Sequence, residues 1–372
     1  MEFITLELRP RLQSCNIFIA MRKDLCLKNV QIKLLESSIV LILKDCSINF
    51  LLPSIKIIPI SLSTLNIMNN WICFRLQTAP VESVFGSFST EVVNSDMSVQ
   101  LLSSSSSPIL NNIKLLFKTS KCTMLCACCK NTISNSVSFK RFLPLPDIEY
   151  DQNEWFCCKH NSDISHDVQP QKWDYLYGSC FSVLDKNIFD NNVHIDSKAM
   201  TCTKCLLHIG TFHTRDLFKI WNCCVDYKPQ SDVLSTVNAT NPLSDFLLLL
   251  KGLLGEILGE EIILQTSVNK QIHCLLIKPM DYKLNLITEP NHKLNSDTCT
   301  IVLKQMYVAK ILYKYETSKI ASNKLNATYH EVGLPIIEAG LKYLLSSTKR
   351  LPHAYRAAED CFFGYIVLQE TD

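Results

Sequence analysis

Two Cys-x-x-Cys pairs constrain this chain more than any other feature of its sequence. The first pair is Cys126 and Cys129, and the second is Cys202 and Cys205. One tight turn can aim two thiolates at one ion, so two such turns supply the four ligands of a tetrahedral zinc site. The pairs lie about 70 residues apart, well beyond the roughly 15–20 residues of a compact zinc ribbon. The intervening chain must therefore form structure of its own and return.

The choice of ligands at the first pair is open from the residues alone. Cys122, Cys126, Cys128 and Cys129 crowd together, and several combinations are available. The two-residue spacing of Cys126 and Cys129 matches that of the second pair, so we predict a structural Zn²⁺ held by these two pairs. The alternative, four buried thiols without a metal, would be unusual for two such pairs in one chain.

The distribution of cysteines also bears on location. The chain has 18 cysteines, and eleven of them fall between Cys122 and Cys224. The first residues show no basic region followed by an apolar core, so we expect no signal peptide. In the cytoplasm or the nucleus thiols stay reduced, and clustered cysteines there favour metal binding over disulfides. We therefore expect a cytoplasmic or nuclear protein, or one found in both compartments.

Charge and known motifs exclude several partner and enzyme classes. The net charge is +2, which predicts no direct nucleic-acid partner. The most apolar stretch, near residues 243–258, is interrupted by Lys251 and Glu256, so no membrane span is expected. Phosphate-binding loops, dinucleotide fingerprints, nucleophile elbows and His-Glu-x-x-His are absent from the sequence.

The hydrophobic pattern predicts a β-rich α+β fold. Short apolar runs of strand length occur in the first part of the chain: Ile4–Leu8, Cys15–Ala20, Val30–Leu35, Ile39–Leu43, Ile48–Leu52, Ile55–Ile60 and Trp71–Leu76. A further strand is predicted over Asn112–Ser120. Three runs over residues 261–287 predict an antiparallel meander, Thr300–Tyr315 a further strand or strands, and Cys361–Leu368 a closing strand. Helices are predicted over residues 244–259 and over Pro335–Ser346.

We expect three parts in this fold. Residues 1–120 form an N-terminal antiparallel β domain, with a Ser-rich loop over residues 79–110. Residues 121–225 form the central zinc-stapled segment. Residues 226–372 form a C-terminal antiparallel sheet with a few helices.

The predicted helix over residues 244–259 has two readings. Its leucine content makes it core-facing by default, and an apolar face that fits a partner's groove is the alternative. The residues in question are Phe246, Leu249, Leu250 and Leu253.

A Cys/His group lies between the two cysteine pairs. Cys157 and Cys158 are followed by His160. A cysteine with a nearby histidine can form a nucleophile–base pair, because the thiolate is the reactive form. The same residues could instead belong to a metal site, and Cys157 could be a packed thiol. The three readings stay open.

Taken together, these segments resemble the HECT-like ubiquitin-conjugating-enzyme-binding proteins. The residues that carry the resemblance are Cys126-x-x-Cys129, Arg141-Phe-Leu-Pro-Leu-Pro146, Glu154-Trp155 with Cys157, Asp174–Phe181, Cys202-x-x-Cys205 with Gly210, Leu334-Pro335, Leu351-Pro352 and Phe362–Leu368. The resemblance is densest over about 122–210 and 330–368. The chain departs from the family at Trp155-Phe156-Cys157-Cys158, where the family usually shows Trp-x-Cys-His.

The resemblance implies a ubiquitin ligase or adaptor. Such a protein would bind a ubiquitin-conjugating enzyme, and it would promote transfer of ubiquitin to a protein substrate. Residues 242–258 would correspond to the segment that binds the conjugating enzyme, and Cys157 would be the candidate catalytic cysteine. The Cys-for-His departure suits a zinc ligand better than a catalytic base, because a neutral thiol is a poor base. The alternative is a non-enzymatic, zinc-stabilised binding protein or chaperone for a client such as the pre-mRNA 3′-end processing endonuclease.

Overall fold

The computed structural model describes residues 1–9, 12–22, 27, 30–43, 47–53, 55–79, 108–145, 172–196, 199–214, 216–231, 235–256, 260–268, 270–290, 300–318 and 327–370. Within these residues the fold is β-rich α+β, as predicted, with several mainly antiparallel sheets and three α-helices. The helices are α1 (Pro108–Thr119), α2 (Pro242–Glu256) and α3 (Leu334–Thr348).

The strands are numbered in chain order. Those of the first half are β1 (Phe3–Arg9), β2 (Ser14–Ala20), β3 (Gln31–Leu35), β4 (Ser38–Ile42), β5 (Ser47–Leu51), β6 (Ile57–Met68), β7 (Trp71–Thr78), β8 (Cys122–Cys126), β9 (Arg141–Pro144), β10 (Asp174–Tyr177) and β11 (Phe181–Asp185). Those of the second half are β12 (Val193–Ile195), β13 (Ala199–Cys202), β14 (His208–Thr214), β15 (Leu217–Trp221), β16 (Val225–Pro229), β17 (Glu261–Val268), β18 (Gln271–Thr288), β19 (Thr300–Val302), β20 (Lys304–Ser318), β21 (Ala327–Glu331), β22 (Ala357–Ala358) and β23 (Cys361–Glu370). Short 3₁₀ turns cover Lys186–Ile188, Asn222–Cys224 and His353–Tyr355.

The largest sheet has ten strands and joins the two ends of the chain. Its main path runs β22-β23-β20-β18-β1-β2-β7-β6, and β17 and β21 extend it beside β18. The long strand β18 is the centre of this arrangement, because β20 follows one of its edges while β17 and then β1 follow the other. The division at residues 120 and 225 stays a prediction, although its first and last parts share this sheet.

A four-stranded sheet packs against the N-terminal strands. Its order is β19-β5-β4-β3, and the core beside it contains Ile17, Ile39, Leu41 and Phe50. Strict alternation explains why β1 faces this core: Ile4, Leu6 and Leu8 are buried in it. Ile4, Leu6 and Leu8 thus lie on the side that the smaller sheet covers, and Phe3 packs on the opposite side.

The central segment builds a separate seven-stranded sheet and a two-stranded ribbon. The sheet order is β12-β13-β14-β15-β11-β10-β9, and the ribbon pairs β8 with β16. Only the β9–β10 pair is parallel within this sheet.

The structure contains most of the predicted strands and helices and differs from the prediction at two places. All seven N-terminal strands are confirmed, as are the strand at 361–368 and the helices near 244–259 and 335–346. The strand predicted over Asn112–Ser120 is wrong, because this stretch belongs to helix α1. Its buried residues Leu110, Ile113, Leu116 and Phe117 recur at helical spacing. The last two runs of the predicted meander are one strand, β18, whose pairing register shifts near Pro279 and Asp281.

Helices α2 and α3 pack against each other within the largest hydrophobic core. Among the residues that the structure describes, no helix has both the length and the apolar content needed to cross a bilayer.

Candidate metal centre

Four cysteine thiols converge at the junction of the ribbon and the seven-stranded sheet. Cys126 ends β8 and Cys202 ends β13, while Cys129 and Cys205 lie on the turns that follow. The four sulfur atoms all lie within 4.8 Å of one another. The Sγ atoms of Cys126 and Cys205 are 3.5 Å apart, and those of Cys129 and Cys202 are 3.6 Å apart. Each short distance therefore joins one pair to the other.

The two turns share one backbone design. Lys130 N–H donates to the Cys126 carbonyl and Leu206 N–H to the Cys202 carbonyl, both at 2.9 Å. Lys130 and Leu206 also share a positive φ, at 57° and 61°. That conformation is uncommon outside glycine, and it recurs here immediately after the second cysteine of each pair. Each Cys-x-x-Cys pair therefore forms a knuckle, and the two knuckles have matching backbone hydrogen bonds and φ angles.

Each knuckle also points backbone N–H groups at its first sulfur. Burial raises the pKa of the Cys126 thiol, and the N–H groups of Cys129 and Cys128 oppose that rise. Burial also acts to raise the pKa of the Cys202 thiol. There the backbone N–H groups of Cys205 and Lys204, with hydrogen bonds from neighbouring thiols, outweigh burial and lower the pKa to about 7. Donors aimed at sulfur favour the thiolate form, which is the form that binds metal.

The donor set and distances fit one tetrahedral metal ion. Zinc–sulfur bonds of about 2.3 Å place the sulfurs of a tetrahedron about 3.8 Å apart, close to the two short distances above. Cys126 and Cys202 are fully buried, and Cys129 and Cys205 are partly exposed. The cluster can therefore hold a metal ion and is compatible with zinc.

The other two cysteines near the first knuckle lie apart from the cluster. Cys122 is buried at the start of β8, and its thiol contacts the Ser120 carbonyl at 3.7 Å. Cys128 is exposed. Among the residues that the structure describes, the group of potential ligands is the predicted set of Cys126, Cys129 and the second pair.

A metal at this point would tie strand β8 of the ribbon to strand β13 of the seven-stranded sheet. Ribbon residue Val225 of β16 pairs with Cys126, and Ala127 N–H donates to the Cys224 carbonyl at 2.9 Å. Cys202 pairs with Val193 across β12 and β13. The centre therefore fastens the ribbon to the far edge of the seven-stranded sheet.

One supporting contact escaped prediction from the sequence. The exposed Lys130 ammonium lies 2.6 Å from the buried carboxylate of Asp226, which locks the first knuckle onto β16. Lys130 and Asp226 are far apart along the chain, so no local pattern could have connected them.

The segment between the knuckles enters the same sheet. Arg141 of β9 binds Asp174 of β10 through Nε and Nη2, at 2.7 and 2.5 Å. Gly210, just after the second knuckle, pairs with Ile220 across β14 and β15, and a Cβ there would stand 2.3 Å from the Lys219 carbonyl oxygen. Cys157, Cys158 and His160 lie outside the described residues, so the three readings of Cys157 stay predictions.

The apolar face of helix α2 lies inside the protein. Phe246 and Leu250 are fully buried, and Leu249 and Leu253 are at most 8% exposed. This burial agrees with the core-facing reading of the helix, because α3 and the core cover the four side chains. As folded here they are core residues, and their role in partner binding stays a prediction.

The fold and the cysteine cluster define a β-rich protein with a candidate metal centre between two matching knuckles. A family model described as HECT-like Ubiquitin-conjugating enzyme (E2)-binding matches residues 7–362, nearly the whole chain, and the chain belongs to this family. No curated protein and no solved structure gave a match.

Proposed function

We propose that this protein binds a ubiquitin-conjugating enzyme and promotes ubiquitin transfer from it to a protein substrate. The observation that carries this proposal is the match of the family model over residues 7–362. A cytoplasmic or nuclear location is part of the proposal, because the four-cysteine cluster needs reduced thiols.

Within this proposal the metal is a structural Zn²⁺. Four protein ligands fill a tetrahedral site and leave no open position for a substrate or water, as in structural zinc sites. The ion would hold the ribbon and the seven-stranded sheet in one arrangement. Its contribution would be to folding, and the transfer chemistry would lie elsewhere.

A covalent mechanism requires an accessible cysteine to accept ubiquitin as a thioester. Among the described cysteines outside the cluster, Cys128 is exposed, Cys361 is partly exposed, and the others are buried. Cys361 follows the turn between β22 and β23, where Glu359 has a φ of 54°. Together with the predicted catalytic residue Cys157, these two are the first cysteines to test; Cys26, Cys46, Cys158 and Cys299 also lie outside the described residues.

The first experiment is a discharge assay. Purified protein is added to a panel of ubiquitin-charged conjugating enzymes, and loss of the charged form is followed on non-reducing gels. We expect faster discharge of at least one enzyme, together with direct binding to it. Absence of both binding and faster discharge across the panel would overturn the proposal.

The same assay separates a covalent ligase from an adaptor. Cys128→Ser, Cys157→Ser and Cys361→Ser are compared with the unchanged protein. A covalent route predicts that one variant loses a reducible ubiquitin adduct together with transfer. If all three variants discharge the enzyme normally and the unchanged protein carries no reducible ubiquitin adduct, the protein acts as a non-covalent adaptor. The burial of most described cysteines favours this second candidate.

A further inference from the structure

Strand β6 carries an unusual number of exposed aliphatic side chains. Ile60 is 96% exposed, Leu65 and Ile67 are each 45% exposed, and Leu62 is 39% exposed. Single exposed aliphatic residues are ordinary, but a row of them on one element marks an interaction surface.

This strand also lies at the edge of the largest sheet. Within the described part of the chain, β7 is its partner on one side and the strand order ends there. Strand β3, the last strand of the four-stranded sheet, lies beside it. The edge strands of the two sheets, β6 and β3, therefore lie in the same region of the surface.

The devices that usually protect such an edge are only partly present. Edge strands commonly carry lysine or other charges that prevent pairing. Residues 57–68 contain no Asp, Glu, Lys or Arg. Pro59 and shifts in register between Ile58 and Asn66 limit continuous backbone pairing, so side-chain packing would have to carry a contact here.

The bulged part of the strand holds its shape through local hydrogen bonds. The Ser61 hydroxyl donates to the Ile58 carbonyl at 2.5 Å and accepts from the Gln77 N–H at 2.8 Å. Ile60 lies between the hydrogen-bonded residues Ile58 and Ser61, and its side chain faces solvent. These hydrogen bonds therefore hold the exposed aliphatic side chains of β6 at the edge of the sheet.

The lack of charge indicates what covers this edge. In a twofold contact between identical chains, each residue near the axis meets its own copy or a close neighbour. A charge there would face a like charge, whereas an uncharged aliphatic strand is complementary to itself. We propose that β6 forms the contact between two copies of this chain, a twofold dimer packed through Ile60, Leu62, Leu65 and Ile67. This inference does not depend on the proposed function.

The test is the mass of the full chain in solution. One chain has a mass of 42.4 kDa, so sedimentation equilibrium over a range of micromolar concentrations should give twice that mass for the unchanged protein. Leu65→Lys combined with Ile67→Lys should halve the mass. Ile60→Lys serves as a second variant, because that side chain is almost fully exposed and its replacement disturbs no core contact. Circular dichroism and the melting temperature verify that each variant is folded.

Val302→Lys is the matched control. Val302 is 63% exposed on β19, in the other sheet, so this variant should remain a dimer. A monomeric unchanged protein over the whole range, or a dimer that survives the β6 lysines, would overturn the proposal. It would also be overturned if the protein is monomeric and Ile60→Lys abolishes binding to a conjugating enzyme, because the edge would then belong to that partner.

Discussion

Gly340 of helix α3 lies directly against the ring of Phe246 on helix α2. A Cβ at Gly340 would stand 2.4 Å from ring atoms Cδ2 and Cε2 of Phe246, which is fully buried. The two helices approach closely because this position has no side chain. This contact fixes α2 within the core and explains why its leucines are unavailable at the surface.

Gly340→Ala should therefore destabilise the protein. Overpacking a close contact of this kind costs about 1–3 kcal/mol, measured as a lower free energy of unfolding in urea. Gly252→Ala is the matched control in α2, since no atom lies within 4 Å of the added Cβ. It should raise stability by up to about 1 kcal/mol, because alanine favours a helix interior over glycine. Equal effects of the two substitutions would contradict the packing described here.

A buried ion pair joins the first strand to the C-terminal strands. Glu7 is 1% exposed, and its carboxylate lies 2.5 Å from Lys310 Nζ and accepts from the Tyr365 hydroxyl at 2.6 Å. Burial acts to raise the pKa of Glu7, but the charge and hydrogen bond of Lys310 outweigh it and hold that pKa below the ordinary 4.5. Glu7→Gln leaves the Lys310 ammonium without its carboxylate and should cost about 3 kcal/mol at pH 7.

The pH dependence of that loss follows from the direction of the shift. A lowered pKa in the folded state means that the stabilisation is fully present above about pH 4.5 and is lost as pH falls through the folded pKa. The difference in unfolding free energy between the unchanged protein and Glu7→Gln should therefore shrink below pH 4.5. A gap that stays constant down to pH 3 would show that the pair is not coupled to protonation. Glu7→Gln with Lys310→Met should recover part of the loss at pH 7.

Asp245 should show the opposite trend. This residue near the start of α2 is 4% exposed, and burial raises its pKa to about 7 although the Thr240 hydroxyl donates to it at 2.5 Å. A raised folded pKa means that stability is greatest at low pH and falls as pH rises from about 4 through 7. Asp245→Asn keeps an acceptor for Thr240 and removes the buried charge. At pH 8 it should stabilise the protein by at least about 1 kcal/mol.

The comparison for Asp245 is a surface carboxylate. The Asp360 side chain is 87% exposed, and Asp360→Asn should change stability little at either pH. Thermal melts at pH 5 and pH 8 supply the measurement. If Asp245→Asn is less stable than the unchanged protein at pH 8, the carboxylate is favourably bound as an anion and the account of its burial is wrong.

Apolar runs of strand length were sufficient to predict the seven N-terminal strands. In β1 the residues Ile4, Leu6 and Leu8 alternate along the chain and lie on one face, and the spacing in Cys126-x-x-Cys129 specifies a knuckle from a few neighbouring residues. The apolar residues of helix α1 are dense enough to fit a short strand as well, so the sequence predicts a strand there. Pro279 and Asp281 are typical of a turn and divide β18 into two predicted runs, whereas its pairing with β1, β17 and β20 shows that the strand continues.

Long-range relationships could not be predicted in the same way. Nothing near Glu7 in the sequence indicates Lys310 or Tyr365, because the three meet only after β1 has joined the C-terminal strands. The two readings of helix α2 have the same origin. Phe246 and its leucines form an apolar face that fits a partner or a core equally well, and the position of Gly340 on another helix decides between them.

The four-cysteine centre is the central claim, and the zinc content of the purified protein tests it most directly. Native mass spectrometry and elemental analysis, on protein purified without chelator, should give one zinc ion per chain. Cys202→Ser should lose the zinc and unfold broadly, because structural zinc supplies folding free energy. Cys128→Ser, which changes an exposed cysteine of the same knuckle outside the cluster, should keep both zinc and fold. A well-folded protein without bound metal, or a Cys128→Ser variant that loses zinc as completely as Cys202→Ser, would contradict the account.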